Sequence, residues 1–294
     1  FGVGDLDVSY NDKYLGYSLD LKGSEYYTIY IRDISSNKLI TEKIEETGGG
    51  ITFSLDDKYI FYSKLDKFHR PRKIYRHKIG APIKEDLLIY EEEDEGFTCS
   101  IGISSDEKYY IIGTSDHTSS EIYFFGVNEI SPEPKLFKRR EKEIKYSIDS
   151  WKGNFFIHTN LDAEDFKICI CKQENIEKWQ DYIPATNGVL IGGFDLLNEW
   201  MVRFEVRDAL SKLYVRNLNT NTEEELVITD EKVISPGASL MQKDRNTNKL
   251  YIGYNSPKTP GKSYIYNIAT KEKKLVKEEI IPSGHQPNNY IVER

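Results

Sequence analysis

The hydrophobic positions of this chain fall in short runs rich in Tyr, Phe, Ile and Val, with Asp, Asn, Gly and Ser between them. The apolar residues do not recur at the 3.6-residue spacing of a helix. Aromatic and β-branched residues favour extended backbone, and the polar residues between the runs favour turns. The pattern therefore predicts an all-β protein.

A short polar turn followed by a large apolar residue recurs six times, and the third residues of these turns lie 45, 50, 46, 45 and 50 positions apart. The turns are Asp12–Tyr14, Asp57–Tyr59, Glu107–Tyr109, Gly153–Phe155, Asn198–Trp200 and Asn248–Leu250. A strand-like run enters each of these turns and another leaves it, which predicts β-hairpins. In the first three repeats the paired runs are Leu6–Ser9 with Tyr14–Ser18, Ile51–Leu55 with Tyr59–Ser63, and Ser100–Ser104 with Tyr109–Gly113.

Two further strands are predicted after these hairpins. The third strands are Tyr26–Asp33, Lys73–Ile79, Glu121–Val127, Phe166–Cys171, Lys212–Leu218 and Ser263–Ile268. The fourth strands are Leu39–Ile44, Leu87–Glu91, Lys135–Lys138, Leu226–Thr229 and Lys274–Lys277. Four antiparallel strands per repeat of about 45 residues are typical of a β-propeller blade. We predict six such blades over residues 1–294, because neither a solenoid nor a sandwich explains these intervals.

An acidic residue ends the second strand of five repeats, where its carboxylate is expected to bond the backbone of the following turn. These residues are Asp20, Asp66, Asp116, Asp162 and Asp208. We expect the loops that follow them to form one polar rim.

The net charge of −8 argues against nucleic acid as a partner and mildly favours cationic ones. No window approaches a membrane-spanning length of apolar residues, and no secretory leader is visible. Three cysteines form neither a disulfide framework nor a zinc spacing, so a reducing, cytoplasmic location is expected. We predict that Cys169 and Cys171 are buried as small hydrophobic residues in a strand.

Motifs for catalysis, metals and cofactors are missing from the sequence. There is no Gly-x-Ser-x-Gly elbow, phosphate loop or His-Glu-x-x-His helix. The histidines at 69, 77, 117, 158 and 285 are scattered over different positions of different repeats, and no metal site is expected. Ser54–Tyr59 copies only the opening of the sialidase box, which makes a glycosidase a weak hypothesis. We predict that this chain alone is inactive and needs no cofactor.

Two blocks of charge stand out. One is the acidic run Tyr90–Glu95, and the other is the basic cluster of Lys138, Arg139, Arg140 and Lys142. We interpret both as solvated surface rather than as partner sites. The alternative interpretation of the acidic run is that it attracts cations.

Several segments resemble the oligopeptidase B (protease II) branch of the prolyl oligopeptidase family of serine peptidases. They are Arg70–Pro82, Asp86–Glu95, His117–Glu121, Arg140–Glu141, Tyr146–Asp149 and Tyr290–Arg294. Members of that family pair a seven-bladed propeller with an α/β-hydrolase domain that carries a Ser-Asp-His triad. The resemblance places residues 1–294 within the propeller, and implies that the first blade and the catalytic domain lie outside this chain. The lack of an initiator Met is in keeping with that expectation.

The resemblance also implies a function. In the family, the propeller restricts access to the triad, and short peptides are cleaved after Lys or Arg. The implied partners are the α/β-hydrolase domain and short basic peptides. Glu25 matches a propeller residue that pairs with a catalytic-domain arginine, and Arg70, Arg72 and Glu121 are further candidates for interdomain contact and substrate gating. A free-standing propeller scaffold that binds a protein partner remains the alternative.

Overall fold

The computed structural model describes residues 1–40, 43–240 and 243–293. These residues form an all-β protein with two short 3-10 helices, Ile83–Glu85 and Pro287–Asn289. The chain divides into two compact units. Unit 1 consists of Phe1–Thr159 and Ile170–Gln180, and unit 2 consists of Asn160–Cys169 and Asp181–Arg294. In the described part of the chain, no helix is long and apolar enough to cross a bilayer.

The described residues contain 24 strands. In the first three repeats they are β1 (Gly2–Val8), β2 (Tyr14–Asp20), β3 (Tyr27–Asp33), β4 (Ile44–Thr47), β5 (Thr52–Phe53), β6 (Tyr59–Leu65), β7 (Pro71–Lys78), β8 (Leu87–Glu91), β9 (Thr98–Ile103), β10 (Tyr109–Ser115), β11 (Ser120–Gly126) and β12 (Lys135–Lys138). In the last three they are β13 (Tyr146–Trp151), β14 (Asn154–Thr159), β15 (Lys167–Lys172), β16 (Asn175–Ile183), β17 (Val189–Leu197), β18 (Trp200–Arg207), β19 (Leu210–Asn217), β20 (Glu223–Glu225), β21 (Ser235–Leu240), β22 (Lys249–Asn255), β23 (Lys262–Asn267) and β24 (Lys273–Glu278).

The sheets follow the order of the sequence. Four separate antiparallel sheets contain β9–β12, β13–β16, β17–β20 and β21–β24, each with sequential neighbours. The strands β1–β8 share one sheet, because Thr47 of β4 pairs with Lys64 of β6 and so joins two groups of four. The predicted all-β class and the four-stranded repeat are thus confirmed.

The recurring turn in the sequence closes the hairpin between the first and second strands. In the first three repeats, a serine hydroxyl accepts a hydrogen bond from the backbone amide of the tyrosine five residues later: Ser9 from Tyr14 at 3.0 Å, Ser54 from Tyr59 at 2.9 Å and Ser104 from Tyr109 at 3.0 Å. Ser54 therefore serves the turn.

The residue at the bend of these turns has a positive φ. The φ angles are 54° at Asp12, 55° at Asp57 and 56° at Glu107. Short polar side chains such as Asp tolerate this left-handed backbone better than apolar ones do. The recurrence of Asp at this position in the first two repeats therefore has a conformational cause.

The predicted bonding of the strand-ending acids is found in the first three repeats. Asp20, Asp66 and Asp116 each accept hydrogen bonds from at least two amides of the turn that follows. Asp162 and Asp208 instead lie in the turns themselves, with φ angles of 53° and 48°. Their role is thus set by backbone conformation.

The cores are built mostly from apolar residues of the middle strands, and Phe53 of β5 adds to them. In unit 1, Ile29, Ile31, Ile60 and Phe53 are fully buried in one cluster. A second cluster, in unit 2, contains the buried side chains of Val202, Leu213, Leu250 and Ile252. Cys169 and Cys171 are 3% and 4% exposed, which confirms that they are buried side chains.

The fourth strands differ from the predicted bounds in several repeats. β8 and β12 begin and end where the sequence predicts, but Leu226–Thr229 is wrong, since the strand lies at Glu223–Glu225. No fourth strand is predicted for the fourth repeat, which has β16. In the predicted strand Leu39–Ile44, residues 41 and 42 lie outside the described residues, and β4 begins at Ile44.

Candidate functional site

The polar loops at one end of the unit 1 sheets form a connected surface, here called the rim. It comprises the loops between second and third strands, residues 21–26, 66–70 and 116–119, and the connections 92–97 and 139–145 that follow the fourth strands. These segments lie at one end because the strands are antiparallel: Ser115 pairs with Ser120, and Lys138 pairs with Ile122.

The first rim loop is folded around the carboxylate of Asp20. That carboxylate accepts hydrogen bonds from the amides of Lys22, Gly23 and Glu25 at 2.9, 2.9 and 2.6 Å. Burial tends to raise the pKa of Asp20, but these bonds outweigh burial and hold the pKa below its ordinary value. Glu25 itself has a φ of 62° and an exposed side chain. The loop therefore fixes the backbone of Glu25 and leaves its carboxylate open to a partner.

The second rim loop touches the first. The Tyr26 hydroxyl donates to the carbonyl of Asp66 at 3.4 Å, and the rings of Tyr26 and His69 lie 4.0 Å apart between centroids. The Asp66 carboxylate accepts from the amides of Phe68 and Arg70 at 2.7 and 3.1 Å. The two loops thus hold each other through an aromatic pair.

Arg70 and Arg72 bind the backbone of the connection 92–97. Arg72 Nη2 donates to the carbonyls of Glu92 and Glu93 at 2.6 and 2.7 Å, and its Nε donates to the former at 3.0 Å. Arg70 Nη1 donates to the carbonyl of Glu95. Because these guanidinium groups bond carbonyls, they leave the carboxylates of Glu93 and Glu95 exposed.

A buried charge cluster lies beneath the third rim loop. Arg140 Nη2 lies 2.9 Å from Glu92 Oε2 and 3.1 Å from Glu121 Oε1, and both carboxylates are almost fully buried. The guanidinium also stacks 3.9 Å from the centroid of Phe97. Two carboxylates thus share one cation, an arrangement in which loss of the cation leaves buried charge unpaired.

Glu92 has further partners in this cluster. Its carboxylate accepts hydrogen bonds from the Thr114 hydroxyl, the Asp94 amide and the Tyr90 hydroxyl. Burial acts to raise the pKa of Glu92, but these bonds and the charge of Arg140 lower it below its ordinary value. The carboxylate is therefore held in its charged form.

The four predicted site residues have different surroundings. Glu25 is exposed on the first loop, while Arg70 and Arg72 lie in and beside the second. Glu121, in contrast, is 4% exposed and bonded to the Arg140 amide at 2.8 Å, so its carboxylate faces the protein interior. Its geometry suits a residue that supports the rim rather than one that meets a partner.

Sequence reasoning missed Glu92 and Arg140. The interpretation of the acidic run and the basic cluster as solvated surface is wrong at these two residues, because Glu92 is 2% exposed and the two side chains pair. The signal that could have identified them is position: each follows a fourth strand, at the end of the sheet where the rim loops lie.

Unit 2 carries its own charged cluster, inside a sheet. Arg203 is 2% exposed, and its Nε donates to Glu205 at 2.8 Å. Its Nη1 and Nη2 donate to Glu223 at 2.5 and 2.9 Å, and Glu205 also accepts from Arg207 at 2.8 Å. These contacts join β18 to β20 across β19. Over the described parts of both units, no three His, Cys, Asp or Glu side chains are grouped to hold a metal ion.

Comparison with known proteins identifies the family to which this architecture belongs. The family described as "Prolyl oligopeptidase, N-terminal beta-propeller domain" matches residues 1–279. The chain belongs to this family. The predicted β-propeller class and the resemblance to oligopeptidase B and its relatives are thereby confirmed. The number of blades remains a prediction.

Named relatives agree with this assignment. Dipeptidyl aminopeptidase BI of Pseudoxanthomonas mexicana is 29% identical over 100% of this chain and 40% of its own length. Protease 2 of Moraxella lacunata is 26% identical over 89% of this chain and 38% of its own length. The closed form of oligopeptidase B from Trypanosoma brucei with covalently bound antipain superposes with a TM-score of 0.91 at 25% identity, covering 99% of this chain and 42% of that one. The chain thus spans about two fifths of the length of the proteins it matches.

Proposed function

We propose that this chain is the non-catalytic, substrate-gating propeller of an oligopeptidase B-type serine peptidase, which cleaves short peptides after Lys or Arg. The observation that carries the proposal is the family match over residues 1–279, together with the likeness to an oligopeptidase B over nearly the whole chain. The peptide bond is cleaved, in this proposal, by an α/β-hydrolase domain that docks on the rim. Without that domain the chain is expected to have no activity.

The rim supports a role in docking. The carboxylate of Glu25 is exposed on a loop whose backbone is fixed by Asp20, so it is presented without a cost in loop ordering. An arginine of the catalytic domain is the proposed partner of Glu25, because a carboxylate and a guanidinium form a strong two-point contact. The Tyr26–His69 contact and the Arg70 and Arg72 bonds keep the neighbouring loops in place for the same interface.

One segment of the rim, the connection 92–97, supports cationic substrates. The exposed side chains of Glu93, Asp94 and Glu95 place negative charge there, and the whole chain carries a net charge of −8, whereas the first two rim loops also expose Lys22, Lys67 and Arg70. A surface of one sign raises the encounter rate with ligands of the other sign. Short peptides with Lys or Arg fit this field better than neutral or acidic ones.

A second candidate function is removal of dipeptides from peptide N-termini. The relative that supports it is the dipeptidyl aminopeptidase of P. mexicana, which is matched over 100% of this chain. In that case the same rim would guard a site that selects for a free N-terminus rather than for a basic residue.

The test is to assay the protein encoded by the complete reading frame, with this chain alone as the control. Reporter peptides would carry Arg, Lys or Pro at the cleaved bond, with free or blocked N-termini. The proposal expects serine-inhibitor-sensitive cleavage after Arg and Lys in blocked peptides, and none by the chain alone. Cleavage restricted to free N-terminal dipeptides would favour the second candidate. Absence of any peptidase activity would favour a free-standing scaffold.

A further inference from the structure

A cavity of about 370 Å³ opens in unit 1 at the end of the sheets away from the rim. The turn that contains Asp56 and Lys58 forms one side, and the segment 127–130 after β11 forms the other. The cavity is within the size range of sites that bind small molecules. Neither the family assignment nor the proposed function gives it a role.

The inner wall of the cavity is aromatic. Tyr110 lies 4.4 Å from Phe61 and 5.2 Å from Phe125 between ring centroids, and all three residues line the cavity. Their rings are tilted by 43° and 35° to one another, and each of the three residues is 2% exposed. The wall that a planar apolar ligand would meet is therefore aromatic and held in place by core packing.

The hydroxyl of Tyr110 has no hydrogen-bond partner among the described residues, although the residue is only 2% exposed. The Leu55 amide is close enough to oppose the effect of burial on the phenol, but it does not meet the oxygen with hydrogen-bond geometry. Tyr10, Asp56 and Arg76 also act on the phenol electrostatically; of these neighbours Leu55, Asp56 and Arg76 line the cavity, and Tyr10 does not. Burial raises the pKa of Tyr110, so the hydroxyl remains a donor. A buried donor without an acceptor is costly unless a bound molecule supplies one.

Arg76 supplies a second source of donors in the same cavity. Its Nη2 donates to the carbonyl of Ile130 at 3.0 Å, which is the one hydrogen bond that the guanidinium makes with described residues. Its position is fixed by stacking 4.5 Å from the centroid of Tyr59. The guanidinium therefore retains donors for a ligand and a positive charge for an anion.

The two acidic side chains that line the cavity already have partners. The Asp56 carboxylate lies 2.9 Å from Lys58 Nζ and accepts from the Ser54 hydroxyl at 2.7 Å. Glu129 Oε1 accepts from the Gly126 amide at 2.8 Å. What the cavity still offers is therefore donors, from Tyr110 and Arg76.

We propose that this cavity binds a small aromatic carboxylate. The ring packs against Phe61, Tyr110 and Phe125, and the carboxylate accepts hydrogen bonds from the Tyr110 hydroxyl and the Arg76 guanidinium. The inference stands independently of the proposed peptidase function, because it rests on groups at the end of the sheets away from the rim.

Benzoate is the probe that tests the site on the whole chain, with benzyl alcohol as its uncharged counterpart. Titration followed by NMR is expected to show saturable benzoate binding, with shifts at the cavity residues and weaker binding of benzyl alcohol. Tyr110→Phe is expected to weaken benzoate binding by about tenfold or more, as loss of one hydrogen bond to a charged acceptor does. Tyr75→Phe, which removes a hydroxyl outside the cavity, is the matched control and should bind benzoate as the unmutated chain does.

Stability gives a second, independent readout. Since the Tyr110 hydroxyl is unpaired, Tyr110→Phe should leave the unfolding midpoint unchanged or raise it. Tyr62→Phe should lower the midpoint, because the Tyr62 hydroxyl donates to Asp86 at 2.8 Å. The proposal is overturned if benzoate fails to bind, if it binds Tyr110→Phe equally well, or if a crystal soaked in benzoate shows only an ordered water at the phenol. A loss of stability in Tyr110→Phe equal to that in Tyr62→Phe would also overturn it.

Discussion

Arg140 donates through Nη2 to both carboxylate oxygens of Glu92, at 3.1 and 2.9 Å, although 48 residues separate the two in sequence. Arg140 follows the fourth strand of the third repeat, and Glu92 follows that of the second. The pair therefore connects the rim segments of neighbouring repeats through a buried contact. The rim loops depend on it for their position, since Arg72 bonds the carbonyl of the same Glu92.

Replacing the cation of this cluster should be strongly destabilising. Arg140→Met leaves the buried carboxylates of Glu92 and Glu121 without a positive partner, and we expect a loss of about 3–5 kcal/mol in the free energy of unfolding. Arg139→Met is the matched control, because Arg139 is exposed and should change stability by less than about 0.5 kcal/mol. Urea unfolding of both variants measures the difference. Equal stabilities would contradict the role given to the cluster.

The same cluster predicts a dependence of stability on pH. The pKa of Glu92 is lowered in the folded protein from an ordinary value of 4.5, so its stabilising contribution is present above pH 4.5 and is lost as the pH falls through the folded pKa. Glu92→Gln should cost about 1–3 kcal/mol at neutral pH and should flatten the loss of stability below pH 4.5. Unfolding curves at a series of pH values test this. If the free energy of unfolding of Glu92→Gln fell with pH as steeply as that of the unmutated chain, groups other than Glu92 would cause the loss of stability in acid.

Unit 2 has a comparable cation in Arg203. Arg203→Met removes the partner of two carboxylates from a site that is 2% exposed, and should cost about 3–5 kcal/mol. Arg207→Met also removes a partner of Glu205, but its side chain is 39% exposed, so its loss should be much smaller. Chemical unfolding followed by tryptophan fluorescence provides the comparison. If Arg207→Met lowered the free energy of unfolding more than Arg203→Met, the greater burial of Arg203 would not explain its contribution to stability.

The thiols should be unreactive in the native protein. Burial raises the pKa of Cys99 to about 12, with a further contribution from Glu92, and raises that of Cys171 to about 11. Cys169 is 3% exposed. Because the thiolate is the reactive species, none of the three should react with a thiol reagent at pH 8 until the protein unfolds. Rapid modification of one thiol in the native protein would show that its strand opens locally.

The hairpins could be predicted from sequence because their determinants are local. The serine, the acidic residue with positive φ and the tyrosine lie within six residues of one another, as in Ser54–Tyr59. Among the second strands of the hairpins, β10 and β22 alternate in burial, so their hydrophobic pattern follows their structure.

The fourth strands lack that local signal. β20 consists of three exposed glutamates, whereas Leu226 and Ile228, which suggested a strand, pack into the core without belonging to one. β16 is mostly polar and exposed over its nine residues, and therefore shows no apolar alternation. At the site, Glu25 was found through resemblance, but the Glu92–Arg140 pair was not, because only the tertiary fold brings those two residues together.

The kinetics of the complete protein with a Glu25→Gln change test the gating role of the propeller most directly. The readout is the ratio of kcat/KM for a short Arg peptide to that for an unfolded protein with the same cleavable bond. We expect the unmutated enzyme to prefer the short peptide strongly. Glu25→Gln should lower that preference about tenfold, because an interdomain ion pair partly shielded from water is lost. Glu174→Gln, an exposed change in the β15–β16 turn, should leave the ratio unaltered. Equal ratios for Glu25→Gln and the unmutated enzyme would contradict the account.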